Sequence, residues 1–376
     1  MSNKTETIRL GVIGMGVDNM ASTLALLKDE PDLRYEITAV CAGSQATVDA
    51  VLDRYKIPFG SVDYREIVTR NDVDVVAVFS PDHLHAEHCR AALENGRHVV
   101  CTKPMVTSFE DAQELARLAR KKGRKFLVGQ TMRFDRQFLV AKKHYDDGDL
   151  GRLIAVESHY IHDMRPVYEF TPWRLEIPQD FMYGGCVHSL DIIRAFAGDI
   201  VSVHAFANKG GMTEGYPIED NFFINVRFES GVIGRVSGLY GVVHPPIPMM
   251  QFRIFGDKGS LQADFTDNEP GELRVVRDSD PDHRPVVTDF EPETDLSAYG
   301  HGATVIRYMR HFQECLDEDK DPVPGVLDGA NSVAAGAAAW ESISTGRVVE
   351  VSKIFHTGHP DPGVAPLRGT SPGSGT

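Results

Sequence analysis

The residues whose spacing carries the most chemistry stand near the start: Gly14, Gly16 and Asn19, directly after the apolar run Ile8 to Ile13. A buried strand turning on glycines into a helix is what a dinucleotide pyrophosphate requires. The first glycine makes the tight turn and the second lets the backbone approach the phosphates. The helix N-terminus then offers N–H groups to the anion. Two of the three fingerprint glycines are present, and Asn19 holds the third position; Met15, Val17 and Asp18 complete the turn. A glycine pair at such a turn also occurs for steric reasons alone. Further on, Lys103 stands between Thr102 and Pro104, at the end of another apolar run. At a strand's carboxyl end its amine points into the ligand cleft and can hydrogen-bond a substrate hydroxyl. Out of water and beside a cationic nicotinamide, its pKa falls toward neutrality. The proline fixes the backbone and is a candidate for the cis form. The plain alternative is a surface lysine at a strand end.

The acidic residue that binds the adenosine ribose is expected after the second strand, yet Ala42, Gly43 and Ser44 occupy that place. Ser44 can donate to a 2′-phosphate, but no Arg or Lys follows closely, so NAD and NADP both stay open.

These residues need a scaffold, and the first third supplies one. Strands are expected at Ile8–Ile13, Tyr35–Cys41, Val73–Ser80, Val99–Cys101 and Phe126–Val128. Helices are expected at Met20–Lys28, Thr47–Tyr55, His85–Asn95 and Phe109–Lys122. Continuous, largely apolar strands alternating with amphipathic helices predict an α/β fold: a doubly wound parallel sheet over residues 1–130. Its carboxyl-end rim carries Gly14, Ala42, Ser80 and Lys103. From Leu153 the pattern changes to successive strands with short Gly-, Pro- or Asp-rich links. It predicts a large open, mainly antiparallel sheet within an α+β domain over residues 131–356. The helices Ala303–Leu316 and Leu327–Thr345 are expected on one face of that sheet. Residues 357–376, rich in Gly, Pro, Ser and Thr, predict a disordered tail.

Composition narrows the function. With 376 residues and 42% hydrophobic character the chain predicts two globular domains. A net charge of −15 argues against nucleic acid or an anionic membrane as partner. No apolar run approaches a membrane span and no leader precedes Ile8. Five scattered cysteines without a C-x-x-C pair fit reduced thiols in the cytoplasm.

In order and spacing together, several segments resemble the Gfo/Idh/MocA family of NAD(P)-dependent oxidoreductases. They are the Gly14-Met15-Gly16 turn, Pro81-Asp82-His83-Leu84-His85, Lys103-Pro104, Gly129 to Phe134, Gly185 to Asp191, and Glu341 to Arg347. The resemblance implies a Rossmann domain, then an α/β domain whose sheet forms the substrate floor and a dimer or tetramer interface. It implies cofactor contacts at Ser80, Pro81, His83, His85 and Thr102, with Lys103 as the cleft lysine. It also implies that His188 faces the nicotinamide, where an imidazole suits removal of an alcohol proton as hydride leaves the same carbon. The expected activity is oxidation of a secondary hydroxyl of a sugar, glycoside or cyclitol to a ketone, or the reverse. Redox-assisted glycoside cleavage and a non-catalytic dinucleotide-binding regulator are the alternatives. This chain departs from the family at Thr102, where Glu is common, at Gly184, where Asp is common, and at Asn19. Tyr183 and Asp180 are candidates to replace the missing aspartate.

The remaining polar clusters carry competing readings. His83, His85 and His88 suggest a metal, but their spacing is wrong for a zinc helix, and no metal site is expected. His162, Trp173 and Arg174 can stack on a sugar ring and grip its hydroxyls, with Cys186 and His301 as further substrate contacts; domain-interface packing is the alternative for Trp173. Arg133 is read as a cofactor or substrate contact or as a salt-bridged hinge, and His188 as a base or as a structural partner of Asp191.

Overall fold

The strands of the first third are mostly apolar, and the structure buries most of their residues. The computed structural model describes residues 6–171, 173–177, 179–211, 216–265, 271–291 and 302–352; the side chains of Phe170 and Trp173 also lie outside the description. The predicted tail and His301 fall outside the described residues.

The strands are β1 (Ile8–Ile13), β2 (Tyr35–Cys41), β3 (Gly60–Ser61), β4 (Val75–Val78), β5 (His98–Thr102) and β6 (Phe126–Gly129). They lie in the order β3-β2-β1-β4-β5-β6, every neighbour parallel. The order reverses between β1 and β4, so a crevice opens beyond their carboxyl ends. The predicted helices hold where local signals are strong. Phe109–Lys122 has Ser108 as its N-cap, acids in the first turn, bases in the last, and Gly123 in the left-handed conformation. The first helix differs from the prediction: Met20–Asp29 is 3₁₀ rather than α. Asn19 sets that register, since its carbonyl accepts both the N–H and the hydroxyl of Ser22, at 2.9 and 2.6 Å.

The second sheet has nine strands: β7 (Leu153–Ile161), β8 (Ile200–Asn208), β9 (Asn221–Phe228), β10 (Ile233–Leu239), β11 (Met250–Gly256), β12 (Gly259–Phe265), β13 (Gly271–Arg277), β14 (Val286–Phe290) and β15 (Val349–Glu350). Their order is β14-β13-β12-β11-β7-β10-β9-β8-β15, and only β7 and β10 run parallel. Strict alternation along β9 buries Phe222, Ile224, Val226 and Phe228 and turns Phe223, Asn225 and Arg227 outward. The helix Val187–Ala197 lies in the core on the inner face, nearly every residue buried.

One expectation is corrected. The helix Gly302–Glu318 does not cover the second sheet; its Val305, Ile306, Met309 and Phe312 pack with Leu10, Val12, Ala77 and Leu127 of the first. A parallel sheet needs cover on both faces, and the slender 3₁₀ segment leaves room for this helix. The last helix, Val326–Thr345, serves both lobes: Ala330, Val333 and Ala334 join the first core, and Ala335, Ala338 and Ala339 the second.

Candidate active site

The glycine turn follows β1. Gly14 has φ +92°, and a Cβ there would stand 2.4 Å from the backbone nitrogen of Ser80, just beyond β4. Only glycine lets the two strand ends approach this closely. Its N–H donates to the Cys41 carbonyl at 2.8 Å. Asn19 fills the third fingerprint position with a purpose: its Oδ1 accepts the Gly16 N–H at 3.0 Å and its Nδ2 donates to the Gly14 carbonyl at 2.8 Å. The side chain of Met15 is buried, leaving only its backbone to the crevice, while the Val17 carbonyl accepts from the Tyr55 hydroxyl and Asp18 is exposed. At the ribose end Ala42 is buried, a Cβ on Gly43 would meet open space, and the Ser44 hydroxyl caps the helix Gln45–Tyr55. These features fit a dinucleotide along the rim: a turn too tight for a Cβ at one end and open space at the other.

The histidine segment acts as internal wiring. Ser80 Oγ lies 2.8 Å from His88 Nδ1, and the His85 ring spans the carbonyls of Ser80 and Pro104, both at 2.7 Å. His85 is fully buried and cannot reach a cofactor; it ties the end of β4 to the lysine turn instead. Burial pushes its pKa down while its two carbonyl contacts oppose the shift, and burial pushes that of His88 down to about 4, favouring the neutral ring there. His83 is exposed and Pro81 and Thr102 are half-buried along the rim. Among the described residues no group of three or more His, Cys, Asp or Glu is placed to hold a metal ion.

The Lys103–Pro104 peptide is cis. From there Lys103 Nζ donates to the carbonyl of Gly184 at 2.8 Å. Burial pushes its pKa down to about 8, with nearby Arg174 adding to the effect and Asp82 opposing it. Gly184 lies in a π-helical turn, Met182–Cys186, which runs directly into the helix Val187–Ala197. His188 is therefore in the first turn of that helix, buried, with the Tyr160 ring edge-on at 5.9 Å. Tyr160 in turn stacks against His162, also at 5.9 Å. Asp180 holds the turn. Its carboxylate accepts the Met182 N–H at 2.8 Å and the Trp340 indole at 2.9 Å, and its carbonyl accepts the Gly184 N–H at 2.7 Å. Burial raises its pKa to about 6.

Lys103 thus meets the turn leading to His188, Arg174 lies near that lysine, and Tyr160 links His188 to His162. Three other expected contacts do not join them. Arg133 is buried and donates to both oxygens of Asp191, at 2.6 and 2.7 Å, and to Asp328 at 3.3 Å: it is the hinge between lobes. Tyr183 packs in the first core against Gly336, and Cys186 is buried beneath Gly238 and Tyr240, because the π-turn rotates both away from the crevice. The Trp173 side chain and His301 lie outside the described residues. Sequence reasoning missed Tyr160, which the two-residue period of β7 places on the same face as His162, and Gln179, for which no local signal exists.

A Rossmann sheet whose crevice meets a second lobe's helix start is the architecture of a nucleotide-dependent oxidoreductase. The sequence matches the oxidoreductase family with an NAD-binding Rossmann fold over residues 8–130 and its C-terminal alpha/beta domain over residues 142–351. The chain belongs to this family, Gfo/Idh/MocA, and is an oxidoreductase. It is 23% identical to levoglucosan dehydrogenase of Pseudarthrobacter phenanthrenivorans, covering 93% of this chain and 99% of that one. It is 24% identical to scyllo-inositol 2-dehydrogenase (NAD(+)) of Bacillus subtilis, covering 93% and 98%. The solved levoglucosan dehydrogenase in complex with NADH and levoglucosan superposes with a TM-score of 0.81 at 21% identity, covering 93% of this chain and all of the other. Among the described residues no helix is long and apolar enough to cross a membrane.

Proposed function

We propose that this chain oxidises a secondary hydroxyl of a sugar, glycoside or cyclitol to a ketone, or catalyses the reverse reduction, with NAD as cofactor. One observation carries the reading: Lys103, from the first lobe, donates to the turn that delivers His188 from the second. The nicotinamide, when bound, supplies the hydride chemistry. Lys103 binds and orients the substrate hydroxyl, and its charge favours a developing alkoxide. His188 accepts the hydroxyl proton, a role worth about 10²–10⁴ in rate. Tyr160 and His162 offer a stacking surface, and Arg174 donates to remaining hydroxyls. The substrates in the names of the two relatives, an anhydrosugar and a cyclitol, support this class.

NAD is favoured over NADP because Cys41 to Thr47 carries no Arg or Lys, and a 2′-phosphate wants such a partner. The same reading divides the chain near residue 130 into cofactor and substrate domains, assembles copies through the second sheet, and places the enzyme in the cytoplasm. The test is Lys103→Ala and His188→Ala on a polyol panel with NAD and NADP. Each variant is expected to lose about 10²-fold or more in kcat while NADH still binds. Full activity in both variants rules out these roles; NADH binding without turnover of any polyol by the native protein points to the regulator instead.

A further inference from the structure

One side chain in the crevice belongs to no motif and no part of the acid–base pair. Gln179 precedes the π-turn, and its amide joins the two lobes: Oε1 accepts from Arg174 Nη1 at 2.6 Å, while Nε2 donates to Asp82 Oδ2 at 3.1 Å. Asp82 sits on the first lobe, between Pro81 and His83 on the cofactor rim. The amide can serve in one sense only. A guanidinium only donates and a carboxylate only accepts, so a flipped amide would oppose both partners. The backbone carbonyl of Gln179 accepts from the Tyr216 hydroxyl, which fixes the main chain as well. The amide also lies flat on Gly184: a Cβ there would come within 2.7 Å of Gln179 Cδ and Nε2. Gly184 is the residue whose carbonyl receives Lys103. One amide therefore touches the turn that holds Lys103, the arginine of the substrate wall and the acid of the cofactor rim.

We propose that Gln179 is a positioning residue that aims Arg174 at a substrate hydroxyl and latches it to Asp82, so that substrate grip depends on the joined lobes. The proposal rests on the reading of Arg174 as a substrate contact. The latch explains why residue 184 is glycine: any larger side chain would displace the amide.

The experiment uses the full-length protein and the polyol it turns over best. Gln179→Met keeps the length and the packing over Gly184 but removes both hydrogen bonds. It is expected to raise KM about tenfold, the worth of one charge-assisted hydrogen bond, with kcat within about threefold. The dissociation constant of NADH, read by fluorescence, should not move. Gly184→Ala should raise KM in the native background and add nothing in a Gln179→Gly background. An unchanged KM in Gln179→Met, with only the melting temperature lowered, overturns the latch in favour of plain packing. Arg174→Ala separates the two levels. If it raises KM while Gln179→Met does not, the latch fails and the substrate role of Arg174 stands. If neither moves KM, or the native protein turns over no polyol, the reading of Arg174 fails and the latch with it.

Discussion

A lysine whose amine donates to a neutral carbonyl has little to hold its charge. Lys103 is in that position: its hydrogen-bond acceptor is the Gly184 backbone, and burial outweighs the opposing field of Asp82. Burial penalises the ammonium form, so the charge is present below about pH 8 and is lost above it. If that charge orients the substrate hydroxyl, kcat/KM falls on the alkaline side with an apparent pKa near 8. Lys103→Arg keeps its charge throughout, so its profile should be lower but flat over that range. A native profile that stays level to high pH removes the role. Lys103 was legible in the sequence because strand, lysine and proline are contiguous, and the glycine turn for the same reason. Tyr183 and Cys186 misled because nearness to His188 along the chain says nothing of which way a π-turn faces them. Gln179 was illegible: its meaning lies in Arg174, Asp82 and Gly184, and only folding brings the acid of the first lobe to it.

At the scale of elements, the unusual piece is the π-turn Met182–Cys186, which places the acceptor of Lys103 just ahead of His188. Asp180 braces it with two accepting oxygens, one for Met182 and one for Trp340 from the last helix. Its pKa, raised to about 6 by burial, makes the brace sensitive to acid. Above that value the carboxylate accepts both bonds with its full charge; below it the neutral acid accepts more weakly and the protonated oxygen must turn its proton away from its donor. The expected outcome is a fall in kcat/KM as pH drops through about 6. Asp180→Asn cannot titrate, so its profile should lose that component at a reduced plateau. An acid limb identical in the two proteins would show that the brace does not gate activity. Sequence reading succeeded for elements with local punctuation, such as the helix from Ser108 to Gly123. It failed for the packing of Gly302–Glu318. The helical period reveals an apolar stripe but not which of two sheets that stripe will cover.

Across the whole molecule, the lobes are locked by elements that cross between them. The buried Arg133–Asp191 pair and the shared last helix fix where the Rossmann crevice meets the His188 helix. Two lobes were evident in the sequence from the change of strand pattern, but their joint was not, since its charges lie far apart along the chain. Among the described residues, the inner face of the second sheet is covered and the outer face is not. Phe206 and Phe223, directly opposite on β8 and β9, are 62% and 51% exposed, and Ile233 on β10 is 58% exposed. Around them Glu157 pairs with Arg235 and Arg253, giving apolar anchors within a polar surround. Exposed rings of this size, aligned on a broad flat sheet, are the composition of a protein interface. A second copy can bury them face to face, each ring contributing about 2 kcal/mol or more. The native chain is therefore expected to sediment as a dimer or larger, and Phe206→Asp with Phe223→Asp to sediment as a monomer with unchanged circular dichroism. Because the crevice opens away from this face, the monomer should keep NADH binding. A native monomer, or a doubly substituted chain that still self-associates, shows that the sheet is not the contact.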